Sequence, residues 1–156
     1  MTYGCQIWGL NKKSQNFKSI AKLQKRAIRL MSFSSYDAHT EPLFKRYGIL
    51  KLKDQITLLN CLFIHDQTRN LLPSTFNGFY IPCSDLYEAD TRYSAAGSLF
   101  VPQYSTNTYG RRSIKVSSIL AWNNLCETLE KDLLKLNRFT LKQTLYNYFI
   151  NSYSDS

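Results

Sequence analysis

Five cations at helical spacing are the residues of this chain best placed to do chemistry. Lys18, Lys22, Lys25, Arg26 and Arg29 recur at three- and four-residue intervals. At ~100° per residue they fall within an arc of about 100° on one helix. They belong to a wider run, with Lys12 and Lys13, that holds every basic residue of positions 1–36, where no acidic residue occurs. The chain carries 20 basic and 11 acidic side chains for a net charge of +9, so beyond position 36 the two signs nearly balance. A localised positive surface attracts phosphates or anionic headgroups by a mechanism that salt weakens. A solvated outer face is the plainest use of such a stripe. Its single sign, with no acid to form the usual i,i+4 pairs, weighs toward nucleic acid. An anionic membrane is the least favoured partner. Arg111 and Arg112, following Tyr109-Gly110, make a second cationic site with an aromatic beside it for base stacking, and Arg92 makes a third.

Catalytic arrangements are weaker. Two-metal phosphoryl chemistry needs clustered carboxylates, because Mg²⁺ takes oxygen ligands and must be held at both reacting oxygens. The closest acidic pairs here, Asp85/Glu88 and Glu88/Asp90, lie in a turn-rich stretch and read as solvated turns. Cys61 and His65 stand four apart, adjacent on a helix, but no orienting group accompanies them, so a core cysteine beside a histidine is favoured over a nucleophile–base pair. Cys5, Cys61, Cys83 and Cys126 form no Cys-x-x-Cys pair and neither His39 nor His65 supplies a paired ligand, so no metal site is expected. No glycine-rich phosphate loop occurs, and no cofactor is expected.

The elements that position these residues are mostly helical. Ile20, Leu23, Ala27, Ile28 and Met31 trace an apolar face for a helix from about Phe17 to Met31, with Asn16 or Ser14 as its cap. Thr40-Glu41-Pro42 announces a second, short helix that Gly48 ends by taking a left-handed conformation. A third runs from Asp54 to about Leu71, with Ile56, Leu59, Leu62 and Phe63 inward, before Pro73. Residues 73–113 are punctuated by Pro and Gly, and short pairing segments such as 79–81 and 98–101 are expected there rather than a structureless loop. Helices return at Ile114–Leu125 and about Asn137–Ile150, the latter burying Phe139, Leu145, Tyr148 and Phe149. Trp8 and Trp122 are expected in the core. The apolar stretch Ile56–Ile64 falls short of the ~20 residues that span a bilayer, and no secretory signal pattern opens the chain, which points to an intracellular, reduced protein.

The fold class is therefore mainly α: about five helices around a loop-rich, partly strand-like centre. The chain forms a single domain or domain fragment. It has a helical part at 1–72, the loop-rich insert at 73–113 and C-terminal helices at 114–156.

Several landmarks occur in a distinctive order: Tyr3-Gly4-Cys5-Gln6-Ile7-Trp8-Gly9, Leu23-Gln24-Lys25-Arg26-Ala27-Ile28-Arg29, Pro42-Leu43-Phe44 and Gly48-Ile49-Leu50-Lys51-Leu52. Thr91-Arg92, Gly110-Arg111-Arg112-Ser113-Ile114 and Trp122-Asn123-Asn124-Leu125 follow. Over nearly its whole length the chain resembles the region downstream of the polymerase in LINE-type (non-LTR, jockey-like) retrotransposon reverse transcriptases. The family's polymerase centre is an aromatic-Ala-Asp-Asp turn, and this chain contains no Asp-Asp pair. The resemblance implies a non-catalytic terminal segment of an RNA-directed DNA polymerase, without fingers, palm or endonuclease. It implies contact with template RNA or target DNA without sequence specificity, in the nucleus or cytoplasm. Lys18, Lys22, Lys25, Arg26 and Arg29 are the expected contacts, with Arg111 and Arg112 secondary. The alternative is an inactive remnant that packs against a polymerase domain of the parent protein.

Overall fold

The computed structural model describes residues 14–86, 97–106 and 110–154. Among these the fold is mainly helical, with five α-helices: α1 (Gln15–Met31), α2 (Glu41–Arg46), α3 (Leu52–Thr68), α4 (Ile114–Leu129) and α5 (Arg138–Asn151). Three short 3₁₀ turns, Ser74–Phe76, Cys83–Asp85 and Leu133–Lys135, accompany them, and no strand forms among the described residues. No described helix is long and apolar enough to cross a membrane. The chain divides into two compact units, Met1–Leu58 with Gln143–Ser156, and Leu59–Lys142.

In the first unit, Ser14 takes an extended conformation and its Oγ accepts the Phe17 N–H at 3.2 Å, which starts α1. Pro42 sits in the first turn of α2, where its missing N–H costs nothing. At its start the Thr40 hydroxyl makes no capping hydrogen bond; the Thr40 carbonyl accepts the Phe44 N–H at 3.0 Å. Gly48 follows with φ +60, and a Cβ there would meet Tyr146 Oη at 2.7 Å. That hydroxyl donates to the Gly48 carbonyl. The core joins Ile28 of α1, Phe44 of α2 and Tyr153, with Leu43, Ile49 and Ile150 packed against them.

Tyr153 also closes the unit chemically. Its Oη donates to Asp54 Oδ2 at 2.8 Å and accepts the Lys51 N–H at 2.9 Å. Lys51 Nζ lies 4.2 Å from the Tyr153 ring centroid and pairs with Glu41, whose carboxylate also accepts from Ser154 Oγ. The hydrogen bonds from Lys51 and then Ser154 hold the Glu41 carboxyl down to about 2.

In the second unit, Trp122 is fully buried and its Nε1–H donates to the Gly97 carbonyl at 3.0 Å. Gly97 has φ +66, and any side chain there would collide with Asp132, which caps the last 3₁₀ turn by accepting the Leu134 N–H. Among the described residues of 73–113, the expected pairing contracts to one antiparallel bridge, Pro82 with Leu99. Cys83 N–H reaches Ser98 O and Phe100 N–H reaches Ile81 O, both at 2.9 Å. Proline has no N–H to extend a ladder. Asn123 of α4 stands in for the missing strand: its Oδ1 accepts the Leu99 N–H and its Nδ2 donates to the Leu99 carbonyl, each at 2.8 Å. Beside this bridge Phe63, Phe76, Phe79 and Tyr80 stack edge to face in series.

Two buried faces differ from expectation. α3 ends at Thr68, with Asn70 left-handed at φ +55, rather than continuing to Leu71. Ile56 and Leu62 are buried, whereas Leu59 and Phe63 are half-buried. On α5 the buried stripe is Leu141, Leu145 and Phe149, spaced four apart, and Phe139 is 74% exposed. Phe139 precedes Leu141 by two residues, about 200° around the helix, so it points away from that stripe. Trp8 lies outside the described residues.

Candidate nucleic-acid interface

Three stripes divide the surface of α1. Phe17 and Ile28 are buried, with Ala21 and Gln24 half-buried on the same edge. Gln24 fixes the rotation of the helix: its Nε2 donates to the Leu50 carbonyl and its Oε1 accepts the Leu52 N–H, both at 2.9 Å. With this edge inward, Lys18, Lys22, Lys25 and Arg26 project into solvent. Arg29 lies on the same arc but is half-buried, and its Nε donates to the Ala38 carbonyl at 2.9 Å. The third stripe is apolar and uncovered, with Leu23 55% and Leu30 68% exposed beside exposed Ala27. At ~100° per residue the three stripes stand roughly 110–140° apart.

The apolar face expected from Ile20, Leu23, Ala27, Ile28 and Met31 is thus corrected. Ile28 is buried, but Leu23, Ala27 and Met31 are exposed and Ile20 is half-buried. The true inward edge runs through Phe17 and a glutamine. A polar side chain that satisfies two backbone groups can sit on a packed edge, and hydrophobic periodicity passes over it.

The cationic stripe keeps its single sign. Among the described residues none of Lys18, Lys22, Lys25 or Arg26 belongs to an ion pair. α1 contains no acidic residue. The loop after it brings Asp37 within electrostatic reach of Arg29, whose charge contributes to lowering the Asp37 carboxyl behind the larger effect of a Ser35 hydrogen bond. Among the described residues, therefore, four of the five cations face solvent with no ion-pair partner, and the fifth is shared with its own loop.

Arg111 and Arg112 belong to the other compact unit. They lie in the turn that leads into α4, held by Arg111 N–H to Thr106 O at 3.1 Å and Ser113 Oγ to Gly110 O at 2.8 Å. Ser113 caps α4 through the Val116 N–H. Arg111 is exposed and Arg112 half-buried. Gly110 lies close to Tyr104, and a Cβ there would meet the Tyr104 Cβ at 2.7 Å. The described aromatic beside this pair is thus Tyr104; Tyr109 and Arg92 lie outside the described residues.

The residues weighed for catalysis are placed as follows. Cys61 and His65 are both buried. Burial pushes the Cys61 thiol far above its usual range, and His65 Nε2 donates to the Leu136 carbonyl at 2.9 Å. A neutral, enclosed thiol is a poor nucleophile. Asp85 is exposed in a 3₁₀ turn, accepting from Ser84 Oγ, while Glu88 and Asp90 lie outside the described residues. Among the described residues no three or more His, Cys, Asp or Glu converge on a metal-sized site. Comparison with family models, curated proteins and solved structures finds no match.

Proposed function

We propose that this chain is a non-catalytic, post-polymerase segment of a retrotransposon reverse transcriptase that holds RNA or DNA through α1 without reading sequence. One observation carries this reading: four exposed cations of one sign share a helix face, with no ion-pair partner among the described residues. Phosphate contacts position a nucleic acid without reading its sequence, and isolated lysines and arginines on a rigid helix suit that task. Arg111 supplies a secondary contact, with Tyr104 available to stack on an unpaired base. Gel-shift or anisotropy titration with a single-stranded RNA and a duplex DNA tests the assignment. Reversing Lys22, Lys25 and Arg26 to Glu is expected to abolish binding of both. Arg29 is left intact because its guanidinium holds the Ala38 carbonyl. Wild-type affinity in the triple variant, with helix content unchanged, contradicts it.

A second reading is favoured by the uncovered stripe of Leu23, Ala27 and Leu30: α1 packs against a further protein domain. The centres of the apolar and cationic stripes face different directions, and the two surfaces meet at Arg26, which borders Leu23 and Leu30.

A further inference from the structure

Ile20, Leu23, Ala27 and Leu30 follow one another at intervals of three, four and three residues. That is the a-d-a-d seam of a two-heptad coiled coil. Ile20 is half-buried and the other three are exposed, and just past the helix Phe33 is 98% exposed at φ +51. Isolated exposed apolar residues are ordinary, but a contiguous seam at coiled-coil spacing marks a surface built for a partner helix.

From this seam and its charged flank we infer that α1 docks an acidic amphipathic helix of another protein segment. The inference rests on the second reading above and names the partner's chemistry. Arg26 occupies the position flanking the seam on one side, backed by Lys22, while Met31 flanks the other. A partner with leucines in its seam and glutamates beside it meets Arg26 favourably and finds no acid on α1 to repel it. A second copy fits less well. Antiparallel pairing of two seams sets one Arg26 against the other, and each chain carries a net charge of +9, which opposes self-association. A lipid surface also fits less well. With the seam turned toward lipid, Lys18, Lys25 and Arg29 lie more than about 130° away and point from the headgroups, whereas interfacial helices bring their cations down to them.

The test uses the full chain and two synthetic helices with the same leucine seam, one with glutamate and one with lysine at the flanking positions. Fluorescence anisotropy should show the glutamate helix binding about tenfold tighter or more than the lysine helix. L23Q/L30Q should abolish that binding while RNA affinity stays within about twofold, because the charge of α1 is unchanged; both side chains are exposed, so the core is untouched, and circular dichroism checks the helix content. Equal binding of both helices, lost in L23Q/L30Q, overturns the acidic partner but leaves packing through the seam intact. Glutamate-helix binding that survives L23Q/L30Q is contact with the cationic stripe and overturns the seam. Binding of neither helix overturns both the inference and the packing reading. Leu23-dependent dimerisation in sedimentation, or Leu23-dependent binding to vesicles containing phosphatidylserine, replaces the partner with a second copy or a membrane.

Discussion

Replacing Tyr153 with Phe removes one oxygen from the centre of the first unit, and its cost can be worked from two contacts. The hydroxyl donates to Asp54, which is 5% exposed, and accepts the Lys51 amide. A hydrogen bond to an ionised group contributes roughly 1.5–3 kcal/mol, and a neutral one about 1 kcal/mol. The ring remains, so its edge contact with Phe44 is kept and no cavity opens. Lys53 Nζ, at 4.0 Å from Asp54, offers only weak compensation. The expected loss is about 3 kcal/mol, a large share of the ~5–15 kcal/mol that stabilises a typical domain. Urea denaturation followed at 222 nm measures it, with the slope unchanged because the same surface is exposed on unfolding. A double-mutant cycle with Asp54→Asn should return a coupling of about 1–2 kcal/mol. A loss under about 1 kcal/mol, or no coupling, refutes the account of Tyr153 as the clasp that holds Ile28 of α1 in place.

Asn123→Ala should cost about 2–3 kcal/mol in the same assay, because both backbone groups of Leu99 lose their partner at once. Gly48→Ala should cost about 1–2 kcal/mol, since it forces a side chain into a left-handed position and against Tyr146. Tyr146→Phe made alongside it separates the collision from the backbone strain. Glu41 titrates at about 2 when folded against 4.5 as the unperturbed value. Its pairing therefore adds stability above about pH 4.5 that fades as pH falls toward 2, by a modest amount because the side chain is 45% exposed. At the alkaline end burial raises Cys126 to about 11 and Tyr80 to about 12. Both stay neutral in the fold while the unfolded chain ionises, so stability is full below pH 9 and declines from there toward 12. A flat thermal-melting profile from pH 8 to 11 contradicts this.

Local signals in the sequence were strong where one residue type decides the backbone. Pro42 and Gly48 marked the ends of α2 because a proline in the first turn and a left-handed turn leave few alternatives, and Ser14 was one of two candidate caps, with Asn16, for α1. The cationic stripe was equally legible, since charge and spacing alone define it. The inward edge of α1 was not: Gln24 anchors it through backbone groups 26 and 28 residues away, a contact no local pattern encodes. Leu23 and Ala27 read as part of the buried face; only the packing of Phe17 and Ile28 shows that they are left uncovered, beside Leu30. Asn123 stood in the sequence as part of a landmark. Its use as a substitute strand edge depends on Leu99 arriving opposite α4.

Salt dependence of nucleic-acid affinity tests the central proposal most directly. Four phosphates neutralised by Lys18, Lys22, Lys25 and Arg26 give a slope of about −3.6 in log affinity against log salt on duplex DNA, so affinity falls roughly a hundredfold between 50 and 200 mM. Neutralising Lys22, Lys25 and Arg26 to Gln should flatten the slope to about −1. A slope that stays near its wild-type value in that variant places the phosphates elsewhere on the molecule and contradicts the account.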